Sequence, residues 1–257
     1  MNTQNWQRSL WVSWLGVIVV LITWQLVNTL EIVNPRVFPG PFAILDTALT
    51  RFPLSDLLDH VSASLRRVAS GFALGAIFGI SLGILSGWYR LLGKMLWGPI
   101  EILRPIPPLA WIPIALLWFG LGENSKVFII FLGAFFPIVT NTYKGMSTID
   151  PMLIRAAQTM GVKGFRMLIQ VAIPASLPDT AVGIRVGWSL SFGSLVAAEI
   201  LAASEGLGYM IMYARELGEI NVIVYGIILI GLLNLATDFL IHELLFKRQL
   251  RWHFGQR

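Results

Sequence analysis

Six long apolar stretches constrain the fold of this chain more than any other feature. The hydrocarbon core of a bilayer is about 30 Å thick, and a helix needs roughly 20 apolar residues to cross it. Hydrophobic residues make up 56% of the 257 residues and charged residues only 13%, against about a quarter charged in soluble domains. The predicted spans are residues 10–30, 68–88, 95–120, 127–143, 180–203 and 222–245. The sequence therefore predicts an all-α, polytopic membrane protein of about six transmembrane helices.

The second span has a glycine at every fourth position. These glycines are Gly71, Gly75, Gly79, Gly83 and Gly87. Such a stripe lets a neighbouring helix approach closely, and the neighbour can belong to the same chain or to another copy. The span is therefore predicted to pack inside a helical bundle.

The third span contains four prolines between residues 105 and 113. Proline removes a backbone donor and clashes with the preceding turn, so this span is predicted to be interrupted. Irregular backbone at that depth indicates either a kink between packed helices or the lining of a wet cavity. The sequence leaves both interpretations open.

The chain before the second span is predicted to hold an anchor and two surface helices. Residues 10–30 are too long for a signal peptide and no small-residue cleavage site follows them, so this span should remain as an anchor. Apolar residues then recur at helical spacing over residues 42–49 and 54–61. This spacing predicts two short amphipathic helices on the outer side, packed against the bundle.

Lysine and arginine residues divide unevenly between the predicted loops. Cytoplasmic loops carry the excess of these residues, and with the N-terminus inside, eleven fall inside and six outside. The inside set is Arg8, Arg90, Lys94, Lys144, Arg155, Lys163, Arg166, Lys247, Arg248, Arg251 and Arg257, and the outside set is Arg36, Arg51, Arg66, Arg67, Lys126 and Arg215. Both termini are therefore predicted to be cytoplasmic. Topology accounts for the net charge of +5 without a nucleic-acid partner.

Several site chemistries are excluded on motif grounds. The chain has no cysteine, so neither a disulfide framework nor a thiolate metal site is expected. His60, His242 and His253 lack the spacing of metal ligands. Residues 87–95 mimic a phosphate-binding loop loosely, but Met95 stands where Ser or Thr would bind magnesium. We therefore expect no metal site and no ATP hydrolysis in this chain.

A polar, basic segment separates the fourth and fifth spans. Within residues 152–165, apolar and small residues fall on one side of a helix and basic residues cover the other. Ala157 and Gly161, four residues apart, would permit close contact with a partner surface. Pro174 and Pro178 are expected to stop the helical run before the fifth span. The pattern predicts a short amphipathic helix parallel to the membrane.

The same segment resembles the cytoplasmic motif of permeases from binding-protein-dependent ABC importers, whose pattern is Glu-Ala-Ala-x3-Gly-x9-Ile-x-Leu-Pro. Four of the seven defined positions match, two are conservative replacements, and an arginine replaces the glutamate. These positions are, in that order, Ala156, Ala157, Gly161 and Pro174, then Val171 and Ile173, then Arg155. Further stretches resemble the taurine, aliphatic sulfonate, nitrate and bicarbonate branch of these permeases. They are residues 103–113, 117–120, 195–199 and 206–209.

The resemblance implies the type I importer permease fold, with a cytoplasmic coupling helix that docks on an ATPase subunit. The residues it assigns to coupling are Arg155, Ala156, Ala157, Gly161, Ile173 and Pro174. Its implied partners are a second copy of this chain, two ATPase subunits that bind ATP and Mg, and a periplasmic or lipid-anchored solute-binding protein. The implied location is the bacterial inner membrane, and the implied cargo is a small oxyanion, taurine or another sulfonate before nitrate or bicarbonate. No residue of this chain is expected to be catalytic.

The resemblance also divides the chain into segments. Residues 1–59 are assigned to an N-terminal transmembrane helix with a periplasmic amphipathic segment, and residues 60–245 to the importer transmembrane domain. Residues 246–257 form a basic cytoplasmic tail.

Charged residues within the spans are the candidates for the translocation pathway. Arg104 lies ten residues beyond Lys94, or about 15 Å of helix rise, so it falls near mid-membrane, where a charge is costly and usually functional. Glu101, one turn earlier, is a second candidate, and it could instead only neutralise Arg104. Glu199 is a third, and the competing explanations are a place near the outer interface or a pair with a partner chain.

Two other function classes compete with the importer. A channel or secondary transporter would need no ATPase at residues 150–174. A membrane scaffold without transport would leave the intramembrane charge of Arg104 unexplained.

Overall fold

The computed structural model describes residues 3–51 and 53–243, and the basic tail predicted at 246–257 lies outside them. All regular elements within these residues are helical. They are α1 (Thr3–Thr29), α2 (Pro41–Thr50), α3 (Leu54–Trp88), α4 (Arg90–Leu103), a 3₁₀ turn (Pro108–Trp111), α5 (Ile112–Phe119), α6 (Glu123–Ser147), α7 (Pro151–Thr159), α8 (Gly164–Met167), a π-helical turn (Leu168–Ala172), α9 (Ile173–Ala202), α10 (Leu207–Glu216) and α11 (Ile220–His242).

Four helices of the described residues are long and apolar enough to cross a membrane. They are Leu54–Trp88, Glu123–Ser147, the continuous run Gly164–Ala202, and Ile220–Ile241. A fifth candidate is the pair Arg90–Leu103 and Pro108–Phe119, whose axes are bent by 89°. The prediction that the third span is interrupted is confirmed. The first predicted span falls on α1, whose apolar part among the described residues is Leu15–Thr29.

Helix α3 corrects the prediction for the segment before the second span. The first predicted surface helix is present as α2, but the second, at residues 54–61, is the start of α3. No glycine or proline occurs between Leu54 and Gly71, so nothing in this stretch interrupts the backbone hydrogen bonds of the helix. The helix of the second span is consequently 35 residues long.

The chain divides into two compact units. One unit consists of the chain up to Asp59 together with Met210–Leu229. Within it, the Trp24 indole N–H donates to the carbonyl of Pro39 at 3.1 Å, and the Asn28 amide donates to that of Phe38 at 2.7 Å. Arg51 and Glu219 form an ion pair in the same unit.

The other unit consists of His60–Tyr209 and, among the described residues, 230–243. Helix α6 is its central element, because residues on all sides of α6 enter core clusters. Ile130 packs with Val68 of α3 and Leu195 of α9, whereas Phe136 packs with Ile100 of α4.

The glycine stripe of α3 faces α6 within this unit. A Cβ atom added at any of the five glycines would overlap the side chain of an α6 residue, and the contacted residues also recur at every fourth position. In order from Gly71 to Gly87 they are Ile130, Ala134, Ile138, Thr142 and Met146. The stripe therefore serves a contact within the chain, which decides between the two alternatives left by the sequence.

Helix α9 approaches α6 by the same device. A Cβ atom at Gly183 would lie 2.8 Å from Cβ of Asn141, and one at Gly187 would lie 2.9 Å from the carbonyl oxygen of Ala134. Helices α3, α6 and α9 therefore pack at short separations, with α6 between glycines from both neighbours.

Candidate functional site

A cavity of about 700 Å³ lies where the end of α4 meets α6 and α9. Its wall is largely apolar, with side chains such as Leu132, Phe136, Leu190 and Ile200. Residues 106–109, which run from the break after α4 into the 3₁₀ turn, form part of the same wall. The interrupted third span thus borders a cavity, as irregular backbone at membrane depth is expected to do.

Arg104 is the one charged residue among the described residues that line this cavity. It follows the last residue of α4, and its backbone N–H donates to the carbonyl of Ile100 at 2.9 Å. A cation at this end of a helix is favourable, by about 0.3–1 kcal/mol. Glu101 is not among the lining residues, and within residues 3–51 and 53–243 it forms no ion pair with Arg104. The ion pair by which Glu101 would neutralise Arg104 is therefore absent from the described residues. The pathway roles of both residues stay predictions.

Glu199 lies in α9 at the centre of a buried polar network and does not line the cavity. Its carboxylate is 0% exposed and pairs with the guanidinium of Arg67 from α3, with Nη1 and Oε1 2.7 Å apart. The Ser64 hydroxyl donates to the same carboxylate at 2.8 Å, and the backbone N–H of Gly208 donates to it at 2.8 Å. The Glu199 charge is therefore satisfied on three sides within this chain, and its place in the pathway remains a prediction.

Arg67 extends the network to α6 and to the segment after α9. Its guanidinium binds both carboxylate oxygens of Glu123, at 2.6 and 2.9 Å, in the forked geometry that favours arginine at such sites. Lys126 adds a second cation on Glu123, at 2.7 Å. Arg67 also donates to the backbone carbonyl of Glu205 at 2.7 Å. Its side chain is only 3% exposed.

The segment between α9 and α10 is fastened onto α3 by this network. The backbone N–H of Gly206 donates to Nδ1 of His60 at 3.1 Å, and that of Leu207 donates to the Ser64 hydroxyl at 2.9 Å. Gly206 has a φ of 116°, and a Cβ atom there would lie 2.6 Å from the Glu199 carboxyl carbon. Only glycine fits this position without moving the buried carboxylate.

The network brings together charges that the sequence assigned separately to the outer side. Arg67, Glu123, Lys126 and Glu205 come from three different predicted outer segments and meet here. The sequence did not predict this buried role of Arg67, which was counted only among the basic residues of the outer loops. An acid inside an apolar span predicts a basic partner, but the sequence does not indicate which of the basic residues it is.

Helix α7 forms the predicted amphipathic segment between the fourth and fifth spans. Asp150 caps its N-terminus, since the Asp150 side chain accepts a hydrogen bond from the backbone N–H of Met152 at 2.8 Å. The C-terminus is closed by Gly161, which has a φ of 83°. The N–H of Gly161 bonds the Gln158 carbonyl and that of Val162 bonds the Ala157 carbonyl, the pair of bonds of a Schellman motif. The prediction of a short helix here is confirmed.

The structure separates the residues predicted to couple to the ATPase into two groups. Arg155, Ala156 and Gly161 are exposed, whereas Ala157 is buried against its own chain. Gly161 adopts the left-handed backbone conformation of the turn, and a Cβ atom there would meet nothing of this chain within 4 Å. Its contact with a partner surface stays a prediction. The most exposed apolar side chains of the segment are those of Met152, Met160 and Phe165.

Ile173 and Pro174 lie at the start of α9, half-buried, and correct one prediction. Pro174 and Pro178 were expected to stop the helical run before the fifth span, but the run is continuous from Gly164 to Ala202. A π-helical turn, Leu168–Ala172, precedes Pro174 at the start of α9, and Pro178 lies inside α9. The wider turn changes the hydrogen-bond partners at the point where proline has no N–H to offer, so the helix continues.

No group of three His, Asp or Glu residues in residues 3–51 and 53–243 is close enough together to hold a metal ion.

The fold and these sites define a multi-pass membrane protein with a buried polar cluster and an exposed amphipathic helix. The family described as binding-protein-dependent transport system inner membrane component matches residues 75–249. The chain belongs to this family.

Similar proteins cover most of the chain. A putative ABC transporter permease of Methanocaldococcus jannaschii is 44% identical over 86% of this chain and 84% of its own length. A putative aliphatic sulfonates transport permease of Bacillus subtilis is 36% identical, over 91% and 84%. The taurine transport system permease of Escherichia coli is 34% identical, over 93% and 89%.

Among solved structures, the MetNI methionine ABC transporter in inward-facing conformations is similar, with a TM-score of 0.57 and 21% identity. The match covers 74% of this chain and 96% of that chain. This likeness supports the fold, and the predicted all-α permease fold is confirmed.

Proposed function

We propose that the chain is the membrane-spanning subunit of an ATP-driven importer for a small oxyanion, with a sulfonate such as taurine as the first cargo to test. It acts as a homodimer with two ATPase subunits, which bind ATP and Mg, and receives cargo from an external solute-binding protein. Family membership supports the transport role. The names of the relatives from Bacillus subtilis and Escherichia coli support the sulfonate class. Nitrate and bicarbonate are the next cargoes to test.

The observation that carries the cargo class is the position of Arg104. A single guanidinium in an otherwise apolar wall offers forked donors to an oxyanion. It is also worth more there than in water, because charges interact more strongly in a medium of low dielectric constant. Motion of the packed helices on either side of such a cavity would expose it to one side of the membrane and then to the other.

The exposed surface of α7 and its flanking turn supports docking of the ATPase. Met152, Met160 and Phe165 are each more than 70% exposed, and the basic residues Arg155 and Lys163 lie beside them in the sequence. An apolar helix face with charged borders is the usual feature of a helix that binds in a groove of a partner. We infer that these residues, with Ala156, contact the ATPase subunit.

Replacing Met160 by Glu tests the docking proposal. Met160 is 76% exposed, so the change should not disturb this chain, but a charge in an apolar groove should weaken binding of the ATPase at least tenfold. The control is Leu217→Glu, an apolar side chain that is 54% exposed on the predicted outer side. The measurement is native mass spectrometry of the purified complex, with ATP hydrolysis as a second readout.

We expect two copies of this chain and two ATPase subunits in the wild-type and Leu217→Glu complexes, and free permease for Met160→Glu. One copy beside a different permease would refute the homodimer. Full ATPase binding by Met160→Glu would move the docking surface elsewhere, and a transporter that works without an ATPase would favour the channel or secondary transporter.

We propose in addition that both termini are cytoplasmic. The division of eleven basic residues against six supports this orientation. The chain has no cysteine, so single cysteines at Leu217 and Arg90 can be labelled separately in intact cells. With a membrane-impermeant maleimide, Leu217→Cys should react at once and Arg90→Cys only after permeabilisation. The reverse pattern would invert the topology.

A further inference from the structure

Ser194 of α9 lines the same cavity as Arg104 and has an unusual environment. Its side chain is 7% exposed, yet its hydroxyl forms no hydrogen bond with any residue that the structure describes. The other two buried serines of this helix, Ser176 and Ser191, bond to the preceding turn. The Ser191 hydroxyl, for example, donates to the carbonyl of Gly187 at 2.8 Å. Ser194 therefore keeps an unused donor that is open to the cavity.

An unused donor at this position does not stabilise the fold. The Ser194 hydroxyl is not among the fully enclosed polar atoms that lack a partner, so its free donor faces the cavity. A ligand that accepts the hydrogen bond is one explanation, and a cavity with a cation on its wall is where an accepting ligand would bind.

Helix α6 leaves room for this hydroxyl. Gly133 faces Ser194, and a Cβ atom there would lie 3.2 Å from Ser194 Cβ and would overlap its Oγ. A larger residue at Gly133 would thus push the hydroxyl aside. The glycine keeps the Ser194 donor at the cavity surface.

We propose that Ser194 donates a hydrogen bond to the anionic cargo and is a specificity-determining residue of the translocation cavity. The inference rests on the proposed function, because it concerns how the same cargo is held. Arg104 supplies the charge and Ser194 a second, neutral donor, while the apolar wall around Phe136 and Leu190 suits a carbon substituent. A hydroxyl that bonds an anion forms a charge-assisted bond, about twice as strong as one between neutral groups.

Ser194→Ala tests this proposal in the assembled transporter with its ATPase and its binding protein. Uptake of taurine, ethanesulfonate, nitrate and bicarbonate into proteoliposomes is measured, together with the melting temperature of the purified complex. The variant removes only the hydroxyl, so we expect uptake of the transported anion to fall about tenfold. The melting temperature should stay the same, because the hydroxyl bonds to no residue that the structure describes. Ser191→Ala is the matched control and should transport normally.

The outcomes are separable. If Ser194→Ala takes up the anion at the wild-type rate, the inference is wrong and the proposed function stands. If its melting temperature falls and Ser191→Ala is equally impaired, the serine is structural and the inference is also overturned. If the wild-type transporter takes up none of the four anions, the oxyanion cargo is refuted and this inference falls with it.

Discussion

Replacing Arg67 by Met, or Glu199 by Ala, is expected to destabilise the chain by about 3–5 kcal/mol. Removing one member of a buried ion pair leaves the other charge buried without compensation, which is far more costly than the net value of the pair. Arg67 is 3% exposed and Glu199 is 0% exposed. Each change also frees further groups. Arg67 binds Glu123 and the Glu205 carbonyl, and Glu199 accepts from Ser64 and Gly208.

The measurement is thermal unfolding of the purified chain in detergent, compared with a surface pair in the same molecule. Arg51 and Glu219 also form an ion pair, but their side chains are 55% and 31% exposed, and such pairs contribute about 0–1 kcal/mol. Arg51→Met should therefore melt close to the wild type. Glu199→Gln should be intermediate, because it keeps an acceptor for the Gly208 N–H but loses the charge.

A double replacement separates the pair from its surroundings. The double variant Arg67→Met with Glu199→Leu removes both charges of the buried pair. Its loss of stability should therefore be smaller than the sum of the losses in the two single variants. If the free energy of unfolding of each single variant lies within about 1 kcal/mol of the wild-type value, the network does not hold α3, α6 and α9 together.

The sequence predicted the spans because hydropathy over 20 residues is a strong signal. It placed the ends poorly where the helix runs beyond the apolar stretch. Helix α3 starts at Leu54, well before the predicted residue 68, since the residues between them include no glycine or proline. The prolines at 174 and 178 failed as stop signals for a different reason. A π-helical turn adjusts the backbone before Pro174, and no periodicity in the sequence reports it. Pro178 lies inside the continuous helix.

The candidate site was predictable only in part. The sequence identified Arg104 as a candidate because a charge within an apolar span is costly and usually functional. Gly133 and Ser194 line the same cavity but come from two other helices. They have no sequence signal, because serine and glycine are common at helix contacts in membranes. Gly161 has a conformational role that its small size alone did not predict, because its φ of 83° belongs to the turn after α7. Its contact with the ATPase stays a prediction.

Arg104→Gln is expected to lower uptake of the native anion tenfold or more while the complex stays assembled. The cation of the cavity wall is lost, and a neutral amide cannot replace a forked, charged donor to an oxyanion. The fold should survive, because a cation at the end of α4 contributes only about 0.3–1 kcal/mol to the helix. The measurements are uptake into proteoliposomes and the melting temperature of the complex.

Arg104→Lys and Arg90→Gln make the result specific. Lysine keeps the charge but lacks the planar fork, so it should restore uptake only partly. Arg90 is exposed at the start of α4 and does not line the cavity, so Arg90→Gln should transport normally. Complete rescue by lysine would show that charge alone is needed. Should Arg104→Gln take up the anion at the wild-type rate, Arg104 has no part in the pathway, and the oxyanion class would rest on similarity to the relatives alone.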